Sequence, residues 1–112
     1  MSLGYIGYCR KVDEDEQAVL YVYSGGDWNN PNNDKVAEKA YDGELFISKT
    51  ALSHKNPHTA IDTGEADVMR PCKNACIRGA IRIDYIVYRC LLHIFERVRD
   101  DGVFPESEAF IQ

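Results

Sequence analysis

The C-terminal third of the chain carries apolar residues at helical spacing, and this pattern constrains the fold more than any other feature. At about 100° per residue, apolar side chains from Ile77 to Val98 recur along one stripe. Pro71 suits a first helical turn, and Gly102 suits the left-handed position just after the last turn. The sequence therefore predicts one long helix over residues 73–101. Asp84 lies within the apolar stripe, so we expect it to meet a base or hydrogen-bond donors.

The N-terminal half is rich in β-prone segments. Residues 4–24 have two aromatic and branched runs separated by an acidic turn, which is typical of a hairpin. The second run is continuously apolar, which favours a strand covered on both faces. Residues 43–52 predict a third strand, and a short fourth is expected near residues 66–69.

These elements predict an α+β fold in one domain, residues 1–112. We expect a small antiparallel sheet of three to four strands, with an N-terminal hairpin, packed against one long C-terminal helix. Residues 1–3 could be a cloning remnant and carry no structural prediction.

Composition indicates the compartment. No apolar run approaches the ~20 residues that a membrane-spanning helix needs, and no export signal opens the chain. A cytoplasmic location with four reduced cysteines is therefore expected.

Two histidines and two cysteines have a spacing that raises the question of a metal. His54 and His58 are four residues apart, as are Cys72 and Cys76. Zinc accepts such a Cys₂His₂ set, but the order reverses that of a zinc finger, and Cys-x₃-Cys is a loose motif. We favour loop histidines and ordinary thiols, with no cofactor, and retain zinc as the alternative.

Trp28 lies in a loop of glycines and asparagines, next to Asp27. If this loop and the one that contains His54 and His58 leave the same end of the sheet, their side chains could line a small-molecule site. The alternative is that Trp28 caps the core.

The charge distribution raises a third question. The chain has a net charge of −5, yet residues 70–99 hold seven basic residues against two acidic ones. Four of these bases fall on the side of the predicted helix opposite its apolar stripe: Arg78, Arg82, Arg89 and Arg97. An anionic partner such as nucleic acid would need them exposed, and the acidic character of the whole chain argues against it.

The predicted helix is apolar on more than one side, because four isoleucines and valines fall outside its main stripe: Ile83, Ile86, Val87 and Ile94. Such a helix is central in its domain or pairs with a second copy. We favour a cytoplasmic, non-catalytic interaction module that self-associates through this helix as a homodimer or larger assembly, with a further protein partner left open. The alternatives are a metal- or thiol-dependent enzyme or sensor that uses the His54–Cys76 set, and a nucleic-acid accessory that uses the helix arginines.

Overall fold

A computed structural model describes residues 4–77 and 83–111 and contains one antiparallel sheet with two helices on one of its faces. The strands and helices follow in the order β1 (Tyr5–Glu14), β2 (Ala18–Asp27), β3 (Gly43–Ser48), α1 (Pro57–Thr63), β4 (Ala66–Arg70), α2 (Tyr85–Asp101) and β5 (Ser107–Ile111). Two short 3₁₀ helices, Val36–Lys39 and Lys49–Ser53, precede and follow β3. No helix in the described ranges is long and apolar enough to cross a membrane.

The N-terminal hairpin is confirmed. β1 and β2 pair from Tyr5↔Asp27 to Glu14↔Val19, with one bulge between Lys11 and Asp13. The Asp15 carboxylate accepts hydrogen bonds from the backbone N–H of Gln17 at 2.7 Å and of Ala18 at 2.8 Å. Local turn chemistry therefore closes this hairpin, as aspartate does in many tight turns.

The sheet has five strands in the order β4-β3-β2-β1-β5, so the expectation of three to four strands was too low. The short strand near residues 66–69 is present as β4. The strand that the sequence did not reveal is β5, which has only five residues and pairs with β1. Its approach is fixed by a long-range contact, in which the Tyr21 hydroxyl donates to the Pro105 carbonyl at 2.7 Å.

The prediction of one helix over residues 73–101 was wrong in its first part. α2 begins at Tyr85, and residues 71–77 form a turn and irregular backbone that ends in an isolated bridge between Ile77 and Asp84; residues 78–82 lie outside the described ranges. The N–H of Cys72 donates to the Tyr23 hydroxyl at 3.1 Å, and that of Cys76 donates to Asp84 Oδ1 at 2.8 Å. These tertiary partners take the donors of residues 72 and 76. At the other end Gly102 adopts φ 76°, as predicted.

α1 is a second helix that the sequence pattern did not predict. The Asn56 side chain accepts from the N–H of His58 at 2.9 Å, Pro57 occupies the first turn, and Gly64 ends the helix with φ 80°. The helix has only seven residues, too few for a visible apolar period.

The core lies between the sheet and the two helices. β2 alternates in burial, and Val19, Tyr21 and Tyr23 face α2 with at most 1% of their surface exposed. A Cβ added to Gly25 would come within 2.9 Å of Ile86, so helix and sheet meet closely there.

The four apolar residues that favoured self-association through the helix belong to this core: Ile83, Ile86, Val87 and Ile94. Because their side chains are at most 6% exposed within a single chain, they offer no surface to a second copy.

Candidate interaction surface

The histidines and cysteines that could form a metal site are dispersed. His54 comes after β3, whereas Cys72 comes after β4. Because these neighbouring strands are antiparallel, they end at opposite ends of the sheet along the strand direction. His54 Nε2 lies 2.7 Å from Glu65 Oε1, and His58 Nδ1 lies 3.3 Å from Asp62 Oδ2. Within the described ranges, no group of three or more histidine, cysteine or acidic side chains is placed to hold a metal ion.

The two cysteines surround the N-terminus of α2. The Cys72 thiol donates to Asp84 Oδ2 at 3.7 Å, and burial followed by the Asp84 charge raises the pKa of this thiol. Burial and a hydrogen bond to Asp27 raise the pKa of Cys76 to about 11. Both thiols therefore stay protonated at neutral pH, and a protonated thiol is a poor nucleophile and a poor metal ligand.

Trp28 packs beside the first 3₁₀ helix. Its indole N–H donates to Glu38 Oε2 at 3.0 Å, and Asp27, which is nearly buried, accepts from the N–H of Asn29 at 3.0 Å. A shallow cavity of about 380 Å³ is lined by Trp28, Asn30, Asn33 and Lys35. The two loops that were expected to converge leave opposite ends of the sheet, because β2 and β3 are antiparallel. His54 is therefore not a neighbour of Trp28.

The arginines do not form a continuous basic stripe in the described part of the chain. Arg97 Nε lies 3.1 Å from Asp101 and 3.5 Å from Glu108, which are two acidic partners. The Arg89 guanidinium lies 5.9 Å from the ring centroid of Phe110 on β5. Arg78 and Arg82 lie outside the described residues, so their placement stays a prediction from sequence.

The face of the sheet that points away from the helices carries apolar side chains that are only partly covered, and we call it the open face. Tyr8, Leu20, Val22 and Phe46 lie on it, each only half-buried. Continuous apolarity in β2 predicted cover on both faces, but the described residues cover this face at one end only.

That cover is residues 36–41, which we call the ridge. The Ser24 hydroxyl donates to the Glu38 carbonyl at 3.0 Å, and a Cβ on Gly26 would meet Glu38 at 2.7 Å. The ridge is therefore packed tightly on the sheet and ends with Tyr41 above it. At its start, Val36 is 89% exposed.

Aromatic rings and cations alternate where the ridge meets the open face. Arg10 stacks over the Tyr41 ring at 4.7 Å from its centroid, and the Lys39 amine lies 5.3 Å from the centroid of Tyr8. The two rings meet edge to face at 6.4 Å. These contacts hold long side chains in place on an exposed surface, which lowers the entropy that a partner's binding would cost.

Tyr41 has a strained backbone, with φ 52° in the left-handed region that bulky residues rarely adopt. The next residue is fixed on both sides, because the Asp42 carbonyl accepts from Arg70 and its carboxylate accepts from the N–H of Lys73. Strain of this kind persists only where the surroundings impose it, and it concentrates at functional positions. Tyr41 carries the ring that stacks on Arg10 and meets Tyr8 on the open face.

No family model, no curated protein and no solved structure matches this chain. Its function is therefore inferred from its own surface. The sequence signal that could have indicated this surface is the apolar run of β2, whose even-numbered residues the core does not use.

Proposed function

We propose that this protein is a non-catalytic interaction module that self-associates through its open face. This differs from the sequence-based expectation in the surface used, because the apolar residues of α2 are occupied by the chain's own core. The observation that carries the proposal is the half-buried apolar face beside the fixed Arg10–Tyr41 stack.

The residue types on this face support an interface. Tyrosine and arginine are enriched among the residues that dominate binding energy, and a central apolar patch with a polar rim is typical of an interface. In contrast, the raised pKa values of Cys72 and Cys76 do not favour thiol chemistry.

The distribution of charge favours a second copy of this chain as the partner. Arg10 and Lys39 lie at the ridge end of the open face, whereas Asp13 lies toward the hairpin turn, followed by Asp15 and Glu16. Along β1 the exposed charge is therefore basic at the ridge end and acidic at the hairpin-turn end, whereas Glu44, in the row of Val22, lies 3.7 Å from Arg70. A surface of this kind is complementary to itself when two copies meet in opposite directions.

The size of the surface sets the expected affinity. Four strands at ~4.8 Å spacing and three rows of outward side chains at ~7 Å give roughly 400 Å² per copy, or about 800 Å² in total, which is below the range of stable specific interfaces and in that of weak, transient ones. We therefore expect a weak dimer with a dissociation constant of about 1–100 μM.

Sedimentation equilibrium from about 1 μM to 1 mM tests the proposal. Val36→Asp should weaken the dimer at least about tenfold, because it places a charge at the contact, while leaving the fold intact at a position that is 89% exposed. The matched control is Val103→Asp, at a position 64% exposed in the turn after α2, which should leave the dimer unchanged. A wild-type monomer at 1 mM would overturn the proposal.

A further inference from the structure

The open face is stepped, and the step restricts how two copies can meet. The ridge is raised over the end of the sheet that holds Ser24 and Gly26. The other end, around Leu20 and Phe46, has no described segment over it. The surface therefore has a high end and a low end along the direction of the strands.

Two symmetric face-to-face arrangements are available to such a surface. A two-fold axis parallel to the strands would set ridge against ridge and hold the two sheets apart. A two-fold axis across the strands reverses one copy end to end, so each ridge lies on the low end of the other copy. Only the second arrangement lets the apolar faces approach the ~10 Å spacing of packed sheets.

The strand register identifies which charges would then meet. On the open face, Arg10 lies beside Val22, and Asp13 lies beside Leu20 in the adjacent outward row. An axis that crosses β1 and β2 between these rows places Val22 of one copy opposite Leu20 of the other. On β1 the same operation places Arg10 opposite Asp13.

Both charges are available for this pairing. Arg10 is exposed and stacked on Tyr41, and it forms no ion pair with any residue that the structure describes. Asp13 is also exposed, and within the described part of the chain its carboxylate accepts one hydrogen bond, from the backbone N–H of Glu14 at 2.9 Å. Because the dimer has two-fold symmetry, it would contain two Arg10–Asp13 pairs.

We propose that two copies associate through their open faces about a two-fold axis that runs across the strands, so that Arg10 of each copy pairs with Asp13 of the other. This inference rests on the proposed function and specifies its partner and register.

A charge exchange tests the register. The single variants Arg10→Asp and Asp13→Arg each place like charges opposite one another twice, so each alone should dimerise at least about tenfold more weakly than the wild type. Mixed in equal amounts, the two variants should form a heterodimer, because each introduced charge then faces an opposite one. The double variant R10D/D13R should dimerise more tightly than either single variant, because each introduced charge faces an opposite one, but it should not reach the wild-type affinity because it lacks the Arg10–Tyr41 stack.

The matched control is Arg99→Asp, the same charge change at an exposed position near the end of α2, which should leave the dimer unchanged. Circular dichroism checks that each variant is folded. If Arg10→Asp does not fold, Arg10→Gln removes the pair without repulsion and should still weaken the dimer when Arg99→Gln does not.

The outcomes separate this inference from the proposed function. The first outcome is a wild type that dimerises and is weakened by Val36→Asp, while Arg10→Asp and Asp13→Arg neither dimerise more weakly alone nor form a heterodimer when mixed. This outcome would overturn the register and leave the open face as the interface. A monomeric wild type overturns both.

Discussion

Asp84 is the residue on which the start of α2 depends, and its replacement by alanine gives the sharpest stability prediction. It is 3% exposed, and its Oδ1 accepts from the N–H of Ile86 at 3.0 Å and of Cys76 at 2.8 Å. Its Oδ2 accepts from the Tyr23 hydroxyl at 3.3 Å. One carboxylate therefore joins the helix, the preceding turn and the centre of the sheet.

The expected cost of Asp84→Ala follows from these contacts. Loss of a helix N-cap costs about 1 kcal/mol. The donors of Cys76 and Tyr23 lose their acceptor inside the protein, at about 1–3 kcal/mol each. Part of this loss of stability is offset, because burial raises the pKa of Asp84 and the alanine variant no longer has a desolvated charge at this position. We expect a net loss of about 3 kcal/mol in the free energy of unfolding.

Urea denaturation followed by circular dichroism at pH 7 measures this loss. The matched control is Asp67→Ala on β4, where the side chain is exposed, and the change should stay within about 0.5 kcal/mol. A loss below about 1 kcal/mol for Asp84→Ala, with an unchanged denaturant slope, would refute the view that this carboxylate anchors α2.

Two further predictions concern titration. Hydrogen bonds from Thr50, Thr63 and His54 lower the pKa of Glu65 to about 2. The stability that ionised Glu65 contributes is therefore complete above its ordinary pKa of 4.5 and is lost as the pH falls toward about 2. The difference in urea midpoint between the wild type and Glu65→Gln should be present at pH 7 and shrink across that range; a constant difference would contradict the assignment. The Cys76 thiol is less buried than those of the other three cysteines. Its reaction with iodoacetamide should be slow at pH 7 and should become about tenfold faster per pH unit up to a pH of about 11. Mass spectrometry of the native protein measures this rate. A rate that levels off near pH 8.5 would mean that the thiol is not perturbed.

The parts of the fold that were predicted correctly depend on neighbouring residues. The hairpin follows from two β-prone runs and the Asp15 turn, and the helix ends at Gly102 because glycine adopts a left-handed backbone at little cost. Periodicity located the body of α2, since apolar residues that recur at helical spacing need a shared face. The α+β class followed from these elements together.

The candidate site was less predictable, because its residues meet only through the sheet. No local pattern indicates that Arg10 and Tyr41 stack, since 30 residues separate them and the contact depends on the strained backbone of Tyr41. A metal site shared by His54, His58, Cys72 and Cys76 would require the ends of β3 and β4 to lie close together. Because these strands are antiparallel, they end at opposite edges of the sheet along the strand direction.

By itself, then, the sequence determined the hairpin, the C-terminal end of α2 and the α+β class, because short-range turn chemistry and side-chain periodicity are sufficient for each. Only the tertiary structure decided where α2 begins. The helical period extends back to Ile77, but the Tyr23 hydroxyl accepts from the N–H of Cys72 and the Asp84 carboxylate accepts from that of Cys76, so these two donors are not available to a helix. It also decided that β5 forms and which face of the sheet stays open, since both depend on pairing and packing between segments far apart in the chain.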